Sequence, residues 1–197
     1  MEIRVLPTRL DGVVIVETDV VRDERGFFIE TWHKHRFAEH GLEYDFVQDN
    51  HSRSARGVLR GIHYQDLTAP MAKLIRCSVG CIFDVAVDLR VGSPTFAQWV
   101  ALELSAQNMK QVLVPVGFGH AFLTLSDVAE VQYKSTSHYT PDAEAALAWN
   151  DPDLAIAWPM SSAPIISARD QRAMSLKRYL DNPAFVYGRD QGPGTVG

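Results

Sequence analysis

The order of apolar and polar residues along the chain predicts short β-strands separated by turns. In residues 81–89, apolar side chains alternate with Asp84, Ala86 and Asp88. This period of two indicates a half-buried strand, and the simplest interpretation places Asp84 and Asp88 on its solvated face. Comparable segments are 13–18, 27–32, 46–50, 58–64, 73–79, 96–104, 112–116, 121–125 and 128–136. Because such segments recur about every eight to twelve residues with Gly, Pro or Asn between them, we predict an all-β sandwich or barrel.

The turns and the remaining segments complete the predicted layout. Gly80 separates two strands and marks the clearest hairpin candidate. Residues 33–40, followed by Gly41, form the first predicted helix. After Pro159 the composition shifts toward Ser, Ala, Pro, Arg and Asp, which indicates loops and a short helix packed on the barrel. We predict one domain over residues 1–185 and a flexible tail over residues 186–197.

Composition and charge narrow the class of protein. The chain has 197 residues, 46% of them hydrophobic, which suffices for one domain with a full core. A net charge of -5 argues against nucleic acid and membrane surfaces as partners, whereas a small phosphorylated ligand needs only a few local cations. No apolar run of membrane-spanning length and no signal-like segment occurs, so we expect a cytoplasmic protein. Cys77 and Cys81 lack the further Cys or His of a zinc site.

Two histidines in glycine-containing segments are the first candidates for chemistry. His63 lies in residues 57–65, and His120 ends residues 115–120. In an all-β barrel, such segments are similar to those that supply metal ligands in cupins, which usually add a second histidine two residues after the first and a glutamate soon after it. Here that position is Gln65, and residues 66–70 contain no glutamate. Two histidines make a poor transition-metal site, so we expect neither a metal nor another cofactor, and we expect the histidines to serve proton chemistry.

A set of motifs points to one family by both order and spacing. The motifs are Asp23-x-Arg25-Gly26-x-Phe28-x-Glu30, Gln48-x-Asn50-x-Ser52, Gly57-Val58-Leu59-Arg60-Gly61-Ile62-His63-Tyr64-Gln65, Asp84-Val85-Ala86-Val87-Asp88-Leu89-Arg90, Ser93-Pro94-Thr95-Phe96, Pro115-x-Gly117-Phe118-x-His120, Tyr133-Lys134 and Trp149-Asn150-Asp151-Pro152. With these motifs the chain resembles, over residues 2–175, the dTDP-4-dehydrorhamnose 3,5-epimerase family, a group of metal-free cupins that act on nucleotide-linked 4-keto-6-deoxy sugars. The resemblance implies a cupin-type jelly-roll β-sandwich or barrel with a few short helices.

The reaction of this family requires a base, a group that stabilises negative charge, and an acid. Inverting a carbon beside a ketone removes a C–H proton, places charge on the ketone oxygen, and returns a proton to the opposite face. His63 suits the base because imidazole titrates near neutral pH. By resemblance, the carboxylate that orients it is Asp170, with Asp84 as a second candidate. Lys73, with Arg60 as a further candidate, would stabilise the enolate oxygen.

Tyr133 is, by resemblance, the acid that protonates the carbon from the face opposite His63. A phenol is a weak acid in water, with an ordinary pKa of about 10. A neighbouring cation would therefore help a transient phenolate to survive, and Lys134 and Lys73 are both candidates.

Other positions match the family's substrate contacts. Tyr139 matches the aromatic residue that stacks on thymine, and Arg169 stands where many relatives have lysine. Family members are dimers that exchange N-terminal strands, so the resemblance implies a homodimer in which Arg25, Phe28 and Glu30 reach the partner's pocket. The substrate-binding candidates are Arg25, Phe28, Glu30, Gln48, Asn50, Arg60, His120, Tyr139, Glu144 and Arg169.

The resemblance implies an epimerase that inverts C3 and C5 of dTDP-4-dehydro-6-deoxy-D-glucose to give dTDP-4-dehydro-L-rhamnose. One alternative is an epimerase that inverts only one of these carbons in an antibiotic sugar pathway. A second alternative is a sugar-binding cupin without catalysis, which would not need His63, Tyr133 and an orienting carboxylate together. A third, metal-dependent cupin chemistry, conflicts with the missing ligands.

Overall fold

The computed structural model describes residues 1–188, and its regular elements are mainly β-strands. The strands are β1 (Ile3–Pro7), β2 (Val14–Thr18), β3 (Val20–Asp23), β4 (Gly26–Ile29), β5 (Gln48–Ala55), β6 (Leu59–Gln65), β7 (Lys73–Val79), β8 (Cys81–Asp88), β9 (Arg90–Val91), β10 (Trp99–Ser105), β11 (Gln111–Val114), β12 (Phe118–Thr124), β13 (Val128–Ser135), β14 (Glu144–Ala146) and β15 (Phe185–Val186). Two antiparallel β-sheets pack face to face: the larger has six strands in the order β1-β2-β11-β7-β13-β5, and the second has five in the order β10-β8-β12-β6-β14.

The main core lies between the two sheets, because each sheet turns one apolar face toward the other. Ile75 and Val131 come from the six-stranded sheet, while Ile82, Ala86 and Phe122 come from the five-stranded sheet, and all five are buried in one cluster. This two-layer packing confirms the predicted all-β sandwich with the jelly-roll architecture of cupins.

Strand β8 is buried on both faces, so the predicted solvated face of this strand is wrong. Val85 and Val87 pack on the outer side of the five-stranded sheet, and Ala86 packs between the sheets. Asp84 is 1% exposed and Asp88 is fully buried. The period of two was real, but it separated two buried environments, because the six-stranded sheet covers one face of β8 and the C-terminal segment covers the other.

The hairpin predicted around Gly80 is also wrong. Strands β7 and β8 follow each other directly, yet β7 pairs within the six-stranded sheet and β8 within the five-stranded sheet. The turn at Gly80 therefore carries the chain from one layer to the other. Local sequence cannot separate these two outcomes, because a tight turn joins the strands in both.

Short helices lie outside the sheets, as predicted. Helix α1 (Lys34–Ala38) is capped at its start by His33, and its Phe37 is buried. Helix α2 (Leu176–Asp181) packs Leu176 and Tyr179 onto the outer face of the five-stranded sheet. None of the helices in the described part of the chain is long and apolar enough to cross a membrane.

The C-terminal prediction is only partly covered by the described residues. Strand β15 pairs in parallel with β9, so residue 186, the first residue of the predicted tail, is part of a β-strand. The rest of the predicted tail, residues 189–197, lies outside the described residues.

The N-terminal region contains the two predicted strands, β2 and β4, and two strands that the sequence pattern did not predict, β1 and β3. Strand β1 pairs with β2 at the edge of the six-stranded sheet. Strands β3 and β4 form a separate two-stranded sheet, joined by the turn at residues 24–25. In this hairpin Phe27 is 55% exposed and Phe28 is 62% exposed, although side chains of this size are normally covered.

Candidate active site

Strands β6 and β12 place the two candidate histidines side by side. His63 on β6 is the register partner of His120 on β12, with an irregularity in pairing just beyond them. Gly61 allows this close approach: its φ is +113°, and a Cβ there would lie 2.7 Å from the Ala121 Cα. The glycine of the motif is therefore needed for strand packing next to the histidine.

His63 forms a pair with Asp170. The distance from His63 Nε2 to Asp170 Oδ1 is 2.6 Å, and the two side chains are 17% and 3% exposed. Asp170 begins a short 3-10 helix, and its backbone N–H donates to the Ser167 hydroxyl. Burial alone would raise the pKa of Asp170, but the hydrogen bond and the charge of His63 outweigh burial and lower it below the ordinary value.

His120 forms a second, more deeply buried pair with Asp84. The distance from His120 Nε2 to Asp84 Oδ2 is 2.8 Å, and the side chains are 9% and 1% exposed. Asp84 therefore contacts His120 rather than His63, which leaves Asp170 as the carboxylate beside the candidate base. Within residues 1–188, no group of three or more His, Cys, Asp or Glu side chains is arranged to hold a metal ion.

Lys73 and Tyr133 come from the opposite, six-stranded sheet. The Lys73 Nζ lies 5.7 Å from the centre of the Tyr133 ring, which itself packs against the main core. Burial lowers the pKa of Lys73 to about 8, although the negative charges of Glu144 and Asp84 oppose this shift. Burial and the charge of Glu144 raise the pKa of Tyr133. Both shifts favour the neutral forms of these side chains.

Of the two cations considered for Tyr133, the structure places Lys73 beside the ring. Lys134 instead donates to Asp49 at 2.8 Å, on the exposed edge of the sheet. Strand geometry explains the difference, because side chains at consecutive positions of β13 point to opposite faces. Arg60, the other cation considered, donates from Nε to the Ser54 hydroxyl at 3.1 Å.

A polar chain of contacts crosses the mouth of the site. The Arg169 Nη2 lies 3.1 Å from His63 Nε2, and the same guanidinium forms an ion pair with Glu144. The Tyr139 hydroxyl donates to Glu144 Oε2 at 2.9 Å, and the Tyr139 side chain is half exposed. Arg169 and Glu144 also act electrostatically on both Lys73 and Tyr133. The structure thus groups these candidates around His63.

Gln48 and Asn50 extend the polar wall along β5. The Gln48 Nε2 donates to Asn50 Oδ1 at 3.1 Å, and Gln48 Oε1 accepts from the Tyr139 backbone N–H at 3.0 Å. Asn50 is the register partner of Tyr133 on the neighbouring strand β13. Both amides are therefore continuous with the group around Tyr133 and Tyr139.

Gln65 has a positioning role that the sequence did not reveal. It is 5% exposed, its Nε2 donates to the Ala69 carbonyl at 2.8 Å, and its Oε1 accepts from the Thr140 backbone N–H at 2.8 Å. These bonds fix the loop that carries Tyr139. The available signal was a polar residue two positions after His63 in a strand, because such a residue shares the inward face with His63.

The three N-terminal candidates remain outside this group within one chain. Arg25 is bound by Asp23 and its side chain is 85% exposed. Glu30 accepts from Arg36 Nη1 at 2.8 Å. Together with exposed Phe28, these residues belong to the β3–β4 hairpin and the segment after it, and their described contacts stay within the N-terminal region.

Comparison with known proteins identifies the group to which these features belong. The sequence profile described as dTDP-4-dehydrorhamnose 3,5-epimerase matches residues 7–178. The dTDP-4-dehydrorhamnose 3,5-epimerase of Salmonella typhimurium is 48% identical over 177 residues, which covers 89% of this chain and 97% of that protein.

Solved structures agree with the sequence comparison. The 3,5-epimerase of Legionella pneumophila, in complex with dTDP-4-keto-L-rhamnose, superposes with a TM-score of 0.91 at 42% identity, covering 94% of this chain and 99% of that one. A 4-keto-6-deoxy sugar epimerase from the novobiocin cluster of Streptomyces spheroides superposes with a TM-score of 0.90 at 39% identity, covering 95% and 94%. The present chain is therefore a member of the dTDP-4-dehydrorhamnose 3,5-epimerase family.

Proposed function

We propose that this protein inverts C3 and C5 of dTDP-4-dehydro-6-deoxy-D-glucose and releases dTDP-4-dehydro-L-rhamnose. The observation that carries this proposal is the pair of Asp170 with His63, which lies on the five-stranded sheet, while Lys73 and Tyr133 lie on the six-stranded sheet. A base and an acid on opposite walls are what inversion at a carbon beside a ketone requires. Membership in the epimerase family supports the same reaction.

In the proposed mechanism, His63 removes the C–H proton beside the ketone. Asp170 holds Nε2, so Nδ1 is the nitrogen left to accept this proton, and the carboxylate stabilises the imidazolium that forms. The electron pair of the broken C–H bond moves to the ketone oxygen as an enolate. Lys73 in its protonated form stabilises that oxygen. When the enolate collapses, Tyr133 gives its proton to the opposite face of the carbon.

Solvent then restores both groups, and the cycle at the second carbon repeats these steps. The Tyr133 phenolate regains a proton, and His63 releases the one that it accepted, so no net proton or electron is consumed. No redox group enters this balance. The raised pKa of Tyr133 keeps the phenol protonated at neutral pH before each transfer.

The remaining candidates are proposed to bind the substrate. Arg60 and Arg169 would contact the diphosphate, because a guanidinium presents a planar fork that matches phosphate oxygens. Tyr139 would stack on thymine with its half-exposed ring. The polar side chains proposed to contact the sugar or nucleotide are Gln48, Asn50, His120 and Glu144.

We further propose that the functional unit is a cytoplasmic homodimer built from the single domain of residues 1–185. The exposed Phe27 and Phe28 support exchange of the β3–β4 hairpin, since a second copy would cover these rings. Arg25 would then reach the partner's site. Mixing equal amounts of Arg25→Ala and His63→Ala subunits should restore one of the two sites in each hybrid dimer, which is about a quarter of all sites in the mixture. If hybrid dimers form but turnover is not restored, the proposed arrangement is contradicted.

Incubation with the 4-keto sugar in deuterated water tests the reaction. We expect deuterium at both C3 and C5 by NMR and conversion to the L-configured product, with His63→Asn as the inactive control. Label at a single carbon would instead support the one-carbon epimerase, which stays the second candidate because the chain is also 40% identical to a dTDP-4-dehydrorhamnose 3-epimerase of Streptomyces niveus. Binding without any label would support a sugar-binding protein and refute catalysis.

A further inference from the structure

A basic cleft lies beside the mouth of the candidate site, along the edge strand β14. Its volume is about 590 Å³, and its walls include β14 together with the segment that runs from Arg169 into helix α2. Three arginines line it, namely Arg169, Arg172 and Arg178. The one carboxylate on its wall is Glu144, which is already bound to Arg169.

The positive charge of this cleft is not neutralised by the protein. Among the described residues, Arg172 and Arg178 have no carboxylate within ion-pair distance, and both are exposed. Some exposed arginines are paired with carboxylates, such as Arg53 with Glu130 and Arg56 with Asp127. Arg172 and Arg178 have no such partner and line the same concavity, so the cleft is locally basic although the whole chain carries a net charge of -5. A concave, cationic surface attracts anions and raises their local concentration.

The cleft is continuous with the site through one residue. Arg169 lines the cleft, and its Nη2 also lies 3.1 Å from His63 Nε2. An anion in the cleft would therefore lie beside the guanidinium that covers the candidate base. A nucleotide-linked sugar carries its negative charge on the diphosphate and is neutral at the sugar, so its charged part would reach the cleft while the sugar faces the barrel.

We propose that Arg172 and Arg178 form a capture subsite for the diphosphate of the nucleotide sugar. The subsite binds the anion first, and the sugar then passes Arg169 to enter the barrel. This inference rests on the proposed function, because it assigns the cleft to the substrate of the same site. The forked guanidinium groups suit phosphate oxygens, and their long-range attraction speeds encounter.

The test compares neighbouring residues of helix α2. Arg178→Ala and Arg172→Ala should each lower kcat/KM about fivefold at low ionic strength, mainly through KM, and Arg178→Lys should recover most of the loss. Lys177→Ala is the matched control, since it removes one positive charge next in sequence but does not line the cleft. In about 1 M salt, where the screening length is about 3 Å, the variants should come within twofold of the parent.

A direct binding measurement separates this proposal from the reaction itself. Calorimetry with dTDP and with inorganic pyrophosphate should show weaker binding to Arg172→Ala and Arg178→Ala than to Lys177→Ala. Equal losses in all three variants, or no loss in the arginine variants of an enzyme that turns over, would overturn the subsite and leave the epimerase intact. Arginine-dependent dTDP binding by a protein that exchanges no deuterium would refute the proposed reaction and leave the subsite standing.

Discussion

Replacing Asp170 with asparagine is the most direct test of the proposed base. The substitution keeps the size of the side chain and removes the negative charge that lies 2.6 Å from His63 Nε2. The imidazolium formed after proton abstraction would then lose its carboxylate partner in a nearly buried position, where Asp170 is 3% exposed. An amide can also donate to Nε2, which would place the ring proton on Nδ1, the nitrogen that must accept the carbon proton.

The expected loss can be estimated from the strength of this contact. A hydrogen bond between charged groups contributes about 1.5–3 kcal/mol, and each 1.36 kcal/mol in the barrier is tenfold in rate. We therefore expect kcat to fall by about 10- to 150-fold from the lost charge, and further if the ring proton is misplaced. Substrate binding should change little, because Asp170 contacts His63 rather than the mouth of the site.

The assay follows deuterium exchange at C3 and C5 by NMR, together with steady-state kcat and KM. Asp84→Asn is the matched control, since it makes the same change in the neighbouring pair with His120. If Asp170→Asn kept kcat within threefold of the parent while remaining folded, the pair would not support the base and the reasoning would be refuted. A larger loss of exchange in Asp84→Asn would transfer the role of base to His120.

The same variant also tests the sign of the pKa shift. The pKa of Asp170 in the folded state lies below its ordinary value of 3.8, so the unfolded chain binds protons more readily. The pair therefore stabilises the fold above pH 3.8, and this contribution is lost as the pH falls through the lowered folded-state value. Asp170→Asn should lack that part of the acid dependence in urea unfolding series. An unchanged dependence would show that the pair does not couple protonation to folding.

Three further predictions address other parts of the site. Tyr133→Phe should lower product formation at least about 100-fold while His63 still exchanges the substrate proton with deuterium, and full turnover would exclude Tyr133 as the acid. Because burial lowers the pKa of Lys73 to about 8, kcat should fall as the pH rises through 8. Lys73→Arg should shift this fall in kcat to higher pH, because a guanidinium stays charged. If the fall stayed at the same pH, it would belong to another group. The free energy of unfolding should rise between pH 8 and pH 10.5, since in that range Lys73 keeps its proton only in the unfolded chain. Gly61→Ala should lower the free energy of unfolding, measured in urea, by about 3 kcal/mol. Gly57→Ala is the control and should lower it by about 1 kcal/mol, because no atom lies near a Cβ at that position. Equal losses would contradict the close approach of β6 to β12.

The strand content and the fold class could be predicted from the sequence, because alternation and turn residues are local properties. Which strands pair with each other could not be predicted. Strands β7 and β8 look like the arms of a hairpin, yet Gly80 joins two different sheets. Burial on both faces of β8 was missed for the same reason, since the neighbours that cover Asp84 come from distant parts of the chain.

The residues of the candidate site could be predicted from the sequence, but the contacts between them could not. The sequence analysis named His63 and Lys73 from their chemistry and Tyr133 and Asp170 by resemblance. In the structure Asp170 contacts His63 and Lys73 lies beside Tyr133, with Arg169 and Glu144 near both groups. Which carboxylate holds which histidine depends on the register of β6 with β12 and on a helix about a hundred residues later in the chain, so the sequence left Asp84 open. The sequence placed a polar side chain at Gln65 on the same face as His63, but it could not name the partners of that side chain, because these are backbone groups of Ala69 and Thr140.

The two histidine–aspartate pairs are chemically alike, and their difference in exposure supports the different roles that we propose for them. The His63 side chain is 17% exposed and lies next to Arg169 at the mouth of the site, whereas the His120 side chain is 9% exposed and Asp84 is almost fully enclosed. A base must meet the carbon and then return its proton to solvent, which favours the more exposed of the two histidines. Charging the more enclosed pair would carry a larger desolvation penalty during each cycle. We therefore propose that His63 moves protons and that His120 serves as a fixed hydrogen-bonding partner for the sugar.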